Sequence, residues 1–395
     1  MNARTRVLLL TACMGCNQTA LSLNMTVAAL AGTMLAGASP YLATLPLACT
    51  FVTIMLSSGP VSLLMGRFGR KPCFALGAIV GAAGGLISAW AILEGSLWLF
   101  ALGMAVYGYA TATANYYRFA AAEAVPADQR SRAISTVLTG GVVAAIAGPF
   151  LAVQGTDLFV YSFAGSFMIM AALSIAILPL LAFVHFPAIE AREEPDPKRP
   201  ARPLGQIARQ KVFLLAAMGG MVGYGAMNLI MVSTPTAMIA CGFVMVDAAS
   251  VIQWHVLGMY LPSFFTGHLI RRYGAPQIMA IGAVLMMICA VINLTGITYL
   301  HFAASLVLLG VGWNFLYVGG STLVTEAYRP GERSRTLGLN EVLVTGTTAA
   351  TALGSGALFA LAGWEVLNLV VLPALILVLI SLAWFALSRR GVLPA

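Results

Sequence analysis

What most constrains this chain is a series of apolar runs, each long enough to cross a membrane, separated by short polar turns. A span needs about 20 apolar residues to cover the ~30 Å hydrocarbon layer. Polar and Pro/Gly punctuation marks twelve such runs, near 7–32, 41–66, 72–93, 97–124, 133–154, 158–186, 211–239, 246–270, 275–297, 300–327, 336–361 and 365–388. Charge is correspondingly scarce: 9% of the 395 residues are charged and 60% are hydrophobic, whereas a soluble domain carries roughly 25% charged residues. A water-soluble enzyme is excluded on that ground, and a disordered chain could not leave so much apolar surface solvated. Inside a bilayer the backbone must satisfy its own polar groups, so the runs have to be helices. The expectation is an all-α polytopic membrane protein with 12 transmembrane helices. The first run continues past Asn17, Gln18 and Asn24 without a cleavage site, which reads as a span and not a signal peptide.

The basic residues orient the spans. Of the 21 Lys and Arg, 20 lie at the termini or in the even-numbered turns, among them Arg67, Arg70 and Lys71, Arg130 and Arg132, Arg271 and Arg272, and Arg329, Arg333 and Arg335. The opposite turns hold Glu94, Asp157, Asp247, His301 and Glu365 and no Lys or Arg. By the positive-inside rule both termini are cytoplasmic. The net charge of +8 is thus a topology signal and not a nucleic-acid footprint. The partner it implies is the lipid bilayer. Residues 187–210 form the one long hydrophilic stretch, rich in Pro and mixed charge, and read as a solvated cytoplasmic linker. It separates a six-helix half at 1–186 from another at 211–395.

The halves echo one another. Glu123-Ala-Val-Pro-Ala-Asp-Gln-Arg-Ser-Arg132 after span four matches Glu326-Ala-Tyr-Arg-Pro-Gly-Glu-Arg-Ser-Arg335 after span ten at an offset of 203. Gly66-Arg67-Phe68-Gly69-Arg70-Lys71-Pro72 after span two is answered by Arg271-Arg272-Tyr273-Gly274-Ala275-Pro276 after span eight at an offset near 205. Parallel repeats related by an axis along the membrane normal are a device of secondary transporters. On these turns, the twelve spans and the mid-chain linker, the chain resembles the major facilitator superfamily over essentially its whole length. The resemblance implies two pseudo-symmetric six-helix halves and alternating access. Some family marks are missing: Gly66 stands where an Asp is usual, and Met104 where span four usually has an Arg. Gly148-Pro149 is similar to the start of the antiporter signature of drug exporters, but Ala152 and Val153 stand where its later glycines belong.

Ionisable groups inside a bilayer are costly and default to functional candidates. Arg118 in span four and Glu341 in span eleven both lie roughly 9 Å inside their basic ends, at ~1.5 Å per residue. The facilitator resemblance makes the inner ends of spans four, five, ten and eleven a cytoplasmic gate, with Arg118 pairing to Glu341 or Glu326 across the halves. The competing readings pair Arg118 with Glu123 in its own half, let it snorkel to the interface, or make it an anion-binding residue. No carboxylate sits at mid-membrane, which leaves His255 as the best titratable group at depth.

Span seven contains Met227-Asn-Leu-Ile-Met231 and span eight contains His255-Val-Leu-Gly-Met259. Spacing i,i+4 puts each pair on one helix face, and Met227 and His255 both lie roughly 24 Å from the basic ends of their spans. With 19 methionines, about 0.9 such Met pairs arise by chance, so only the coincidence of the two motifs in neighbouring spans carries weight. The plain alternative is that Met fills gaps between packed helices and His255 bonds within the core. Three thioethers and an imidazole would favour Cu(I) over hard cations. Here the chain resembles, more narrowly, the CcoA-type copper importers of the bacterial inner membrane. That resemblance implies copper as transported substrate, with no resident cofactor, a cytoplasmic copper chaperone as candidate acceptor, and supply of copper for cbb3-type cytochrome c oxidase assembly. The copper residues would then be Met227, Met231, His255 and Met259. Cys49 and Cys241 could approach each other at the outer gate, and Cys13 and Cys16 on span one could relay copper inward, although Cys also behaves as a small hydrophobe.

The facilitator resemblance further implies that spans one, four, seven and ten line a central cavity. Here they offer Asn17, Asn24, Asn115, Tyr117, Tyr224, Asn228, Trp313, Asn314 and Tyr317. So many amides and aromatics would also suit a planar organic solute, which is the alternative reading: a carrier for riboflavin-type uptake or drug efflux. A wet cavity lining explains them equally well.

Overall fold

The computed structural model describes residues 2–37, 42, 44–186, 201–329 and 331–390, and every regular element among them is helical. In chain order the α-helices are α1 (Ala3–Ala36), α2 (Leu45–Phe68), α3 (Arg70–Leu93), α4 (Leu97–Ala114), α5 (Tyr117–Glu123), α6 (Arg130–Leu138, entered by a 3-10 turn at Ala127–Gln129), α7 (Gly140–Thr156) and α8 (Ala164–Phe183). They continue with α9 (Leu204–Ala208), α10 (Lys211–Ala240), α11 (Met245–Tyr260), α12 (Ser263–Tyr273), α13 (Ala275–Thr295), α14 (Tyr299–Ala327) and α15 (Arg333–Arg390).

Among the described residues, nine helical stretches are long and apolar enough to cross a membrane, or ten with the bent α1. Two features account for the difference from twelve apolar runs. The eighth run is interrupted at Leu261-Pro262, which leaves α11 and α12 each too short on its own. The last two runs lie in one helical stretch, α15, divided at Gly363, whose φ of 79° is not helical. Spans four and five are also broken, after Ala114 and at Thr139, yet each still counts as one crossing. The expected linker falls, for residues 187–200, outside the described residues. Its remainder holds the short α9.

Two compact units emerge. One comprises Met1–Pro126, Thr136–Ala201 and Pro330–Thr345; the other comprises Ala127–Ser135, Arg202–Arg329 and Gly346–Ala395. Each is built mainly from one sequence half and takes a short segment of the other. In the first, α3 packs on α4 and α8, α2 on α4, and α1 on α7 and α8. In the second, α14 is the central helix, packed by α10, α11 and α13. Between membrane helices association rests on close approach of small residues and not on hydrophobic segregation. Gly84 and Gly103 meet backbone to backbone between α3 and α4, and Gly282 and Gly312 do so between α13 and α14.

The repeat recurs in the backbone. Gly69 closes α2 and opens α3 with φ 85° and ψ 166°. Gly274 does the same between α12 and α13 with φ 89° and ψ 150°. Only glycine adopts this conformation cheaply, and here it turns the chain at matching points in both halves.

Candidate functional site

The basic turns end in two seams of small residues. In the first unit, Ser62 Oγ of α2 donates to the Ser334 carbonyl of α15 (2.9 Å) and Thr345 Oγ1 to Ser58 Oγ (3.3 Å). A Cβ on Gly338 would stand 3.2 Å from Ser62 Cβ. In the second unit, Ser131 Oγ of α6 donates to the Gly267 carbonyl of α12 (3.0 Å) and Ser135 Oγ to the Ser263 carbonyl. The Gly267 amide donates back to Ser135 Oγ (3.1 Å). Serines 58 and 62 occupy the places of Ser263 and Gly267 at the offset of 205, and Ser131 and Ser135 those of Ser334 and Gly338 at 203. The seams are therefore repeat-related. Sequence reasoning passed over them, although the signal was present as four small-x-x-x-small pairs, a pattern that lets helix backbones approach.

Charge is concentrated on the first seam. Arg118 on α5 and Glu341 on α15 are both fully buried and joined at 2.6 Å, Nη2 to Oε1. Arg118 Nη1 also donates to the Asn115 carbonyl, its guanidinium lies 4.3 Å from the Phe119 ring centre, and Asn340 Nδ2 donates to Glu341 Oε1 (2.9 Å). Glu123 takes other partners: Arg70 Nε at 3.0 Å and Arg333 Nη1 at 3.1 Å. Glu326 belongs to the second unit. A buried ion pair gives little net stability, but removing one partner strands a buried charge at a cost of about 3–5 kcal/mol.

The second unit holds the methionine and histidine motifs. Met227, His255 and Met259 are buried, and Met231 is half-buried. His255 turns toward α14, where its Nδ1 donates to the Leu306 carbonyl (2.8 Å), which fixes Nε2 as a bare acceptor, buried without a hydrogen-bond partner. Among the described residues no group of three or more His, Cys, Asp or Glu is placed to hold a metal ion. All six cysteines are free: Cys13 is buried, Cys16 and Cys49 are half-buried, and Cys241 is exposed. Cys49 and Cys241 belong to different units.

Around α14 lies an aromatic group. Trp313 and Tyr317 stack at 4.9 Å with an interplanar angle of 21°, and Tyr224 of α10 stands edge-on to both at 5.1 and 5.0 Å. Tyr260 of α11 meets Trp313 at 5.8 Å. Next to this group, Asn314 spends its amide internally: Nδ2 donates to the Met259 carbonyl and Ser263 Oγ, and Oδ1 accepts from Thr266 Oγ1. Asn228 Nδ2 donates to the Thr348 carbonyl (3.4 Å). In the first unit, Tyr117 is buried and Tyr107 donates to the Asn17 carbonyl (3.3 Å). Asn24 is wholly buried with neither amide atom hydrogen-bonded. Asn115 ends α4, and its side chain is half-buried.

The sequence profile of the Major Facilitator Superfamily matches residues 7–254 and 246–394. The chain belongs to that superfamily. Its facilitator fold is shared by solved structures: the E. coli fucose:proton symporter FucP aligns with a TM-score of 0.78 at 14% identity, covering 97% of this chain and 99% of that one. The human organic anion transporter MFSD10 aligns with a TM-score of 0.77 at 13% identity, covering 97% and 100%. Facilitators nearer in sequence include the riboflavin transporter RfnT of Brucella anthropi, 38% identical over 382 residues, which span 96% of this chain and 95% of RfnT. The MFS-type transporter YddS of Bacillus subtilis is 30% identical over 335 residues, 79% of this chain and 76% of that one.

Proposed function

We propose that this facilitator imports riboflavin, or a planar organic solute of the same kind, across a bacterial inner membrane by alternating access. The observation that carries the reading is 38% identity to a riboflavin transporter along 96% of the chain. The aromatic group around Trp313 supports it, because fused heteroaromatic rings bind well against aromatic faces. On the positive-inside reading of the basic turns both termini are cytoplasmic, and on that reading the two seams lie on the cytoplasmic side. Arg118, held by Glu341 and backed by the Glu123 cluster, fastens span four to span eleven when that side is closed. Buried and already neutralised, Arg118 serves better as a latch than as an anion receptor.

A riboflavin-auxotrophic bacterium without its own importer tests the reading. Expression of this chain is expected to restore growth at micromolar riboflavin, and absence of growth despite normal protein in the membrane overturns it.

One observation favours a second cargo, Cu(I). The tautomer of His255 leaves a buried lone pair, one turn from Met259, which is what a soft-cation site would need. The name of the 38% relative ranks this second, and the cysteine relay belongs to it alone. Copper accumulation in the same cells, with Met227→Ala, Met231→Ala, His255→Ala and Met259→Ala as controls, separates the cargoes. The organic reading expects no copper uptake that depends on those four residues.

A further inference from the structure

We infer that Tyr224, Trp313 and Tyr317 form the recognition site for the solute's fused ring, with the Trp313 indole N–H donating to a ring carbonyl. The inference rests on the organic-solute reading and specifies which residues read the cargo and by what chemistry.

Three observations carry it. The first is geometry: Trp313 and Tyr317 are stacked almost parallel, and Tyr224 stands at 89° and 88° to them. Both buried rings thus brace Tyr224 from one side. The second is exposure. Trp313 and Tyr317 are buried, whereas Tyr224 is half-buried. It presents the accessible ring of the group, and an aromatic face held rigidly at a fixed angle binds a second ring at little conformational cost. The third is an unspent donor. Trp313 Nε1 is buried without a hydrogen-bond partner, and a buried indole normally finds one. The neighbouring Asn314 amide spends both Nδ2 protons and bonds Thr266 Oγ1 through Oδ1, and no protein acceptor answers the Trp313 N–H. A heteroaromatic bearing ring carbonyls, such as an isoalloxazine, supplies both the stacking face and the acceptor. Discrimination follows from the same donor, because a buried site that hydrogen-bonds its substrate rejects analogues lacking the matching group.

The test uses the full-length purified protein and two probes, riboflavin and lumichrome, which keeps the ring and its carbonyls but lacks the ribityl chain. Stacking on Tyr or Trp quenches flavin fluorescence, so binding is read directly and apart from transport. Both probes are expected to be quenched by the wild type. Tyr224→Phe should bind as wild type, Tyr224→Ala should bind about tenfold or more weakly, and Trp313→Phe, which keeps a ring but no donor, should raise Kd about tenfold, the usual scale for one lost buried hydrogen bond. In uptake, Trp313→Phe should raise KM more than it lowers the maximal rate. Wild-type affinity in both Tyr224→Ala and Trp313→Phe overturns the inference while riboflavin transport stands. A wild type that quenches lumichrome but does not sustain growth on riboflavin overturns the functional reading and leaves the ring site standing. Absence of quenching with either probe overturns the site.

Discussion

At the scale of single residues, a tight constraint on the second seam falls on Gly267. A Cβ there would stand 2.6 Å from Arg132 Cα and 2.7 Å from the Ser131 carbonyl oxygen, both backbone atoms that cannot yield. Gly267→Val should therefore push α12 off α6, with overpacking costing roughly 1–3 kcal/mol, and should reduce uptake well beyond any loss of protein. Gly205→Ala, where nothing lies within 4 Å of the added carbon, is the control. Thermal melting in detergent and uptake in cells check both variants, and unchanged melting and uptake in Gly267→Val would show that the seam tolerates separation. How much of this was legible in the sequence depends on the coordinate in question. Depth along a span follows from counting, and it set Arg118 level with Glu341. Azimuth does not, because helices of nearly uniform apolarity carry no face that says which neighbour a side chain meets. His255 illustrates this: its depth matched Met227 on α10, yet its ring bonds Leu306 on α14.

At the scale of helices, polarity marks the ends and packing decides the breaks. The turns at Gly69 and Gly274 were readable from their basic neighbours, and the helices begin and end within a few residues of the apolar runs. Breaks at Leu261-Pro262 and Thr139 were not, since a membrane helix can absorb such residues when neighbouring helices satisfy the freed backbone groups. The link from α5 to α15 makes an element-scale prediction. Arg118→Glu places two carboxylates in a site closed to water and should abolish transport. Pairing it with Glu341→Arg rebuilds the ion pair in reverse, and uptake is expected to recover in part. A double variant no better than either single one would mean that the pair does not act as a latch.

At the scale of the whole molecule, the internal repeat was visible in two short echoes, one of ten residues, and the fold is consistent with it. Less visible was that each compact unit takes a segment from the other sequence half: residues 330–345 sit with the first, and 127–135 with the second. Because those segments carry the seams, locking one should stop the cycle. With the native cysteines replaced, Ser62→Cys together with Gly338→Cys is expected to form a disulfide under mild oxidant, halt uptake and release it again on reduction. The Cβ positions, 3.2 Å apart, need only a small adjustment to reach the ~3.8 Å typical of disulfides. Continued uptake with the bond formed would show that α2 and α15 need not part.

The two seams are repeat-related in their hydroxyls and glycines but not in their charges. At the offset of 203, Arg118 corresponds to Ser321, and Glu341 to Leu138, so the equivalent positions of the other sequence half cannot form such an ion pair. Prising apart the charged seam means rehydrating a buried arginine and a buried carboxylate; the other carries hydroxyl–carbonyl bonds and an Arg271–Asp128 pair that is already exposed to solvent. If Arg118 and Glu341 act as the latch, the seam that holds them is the one whose parting sets the pace of opening.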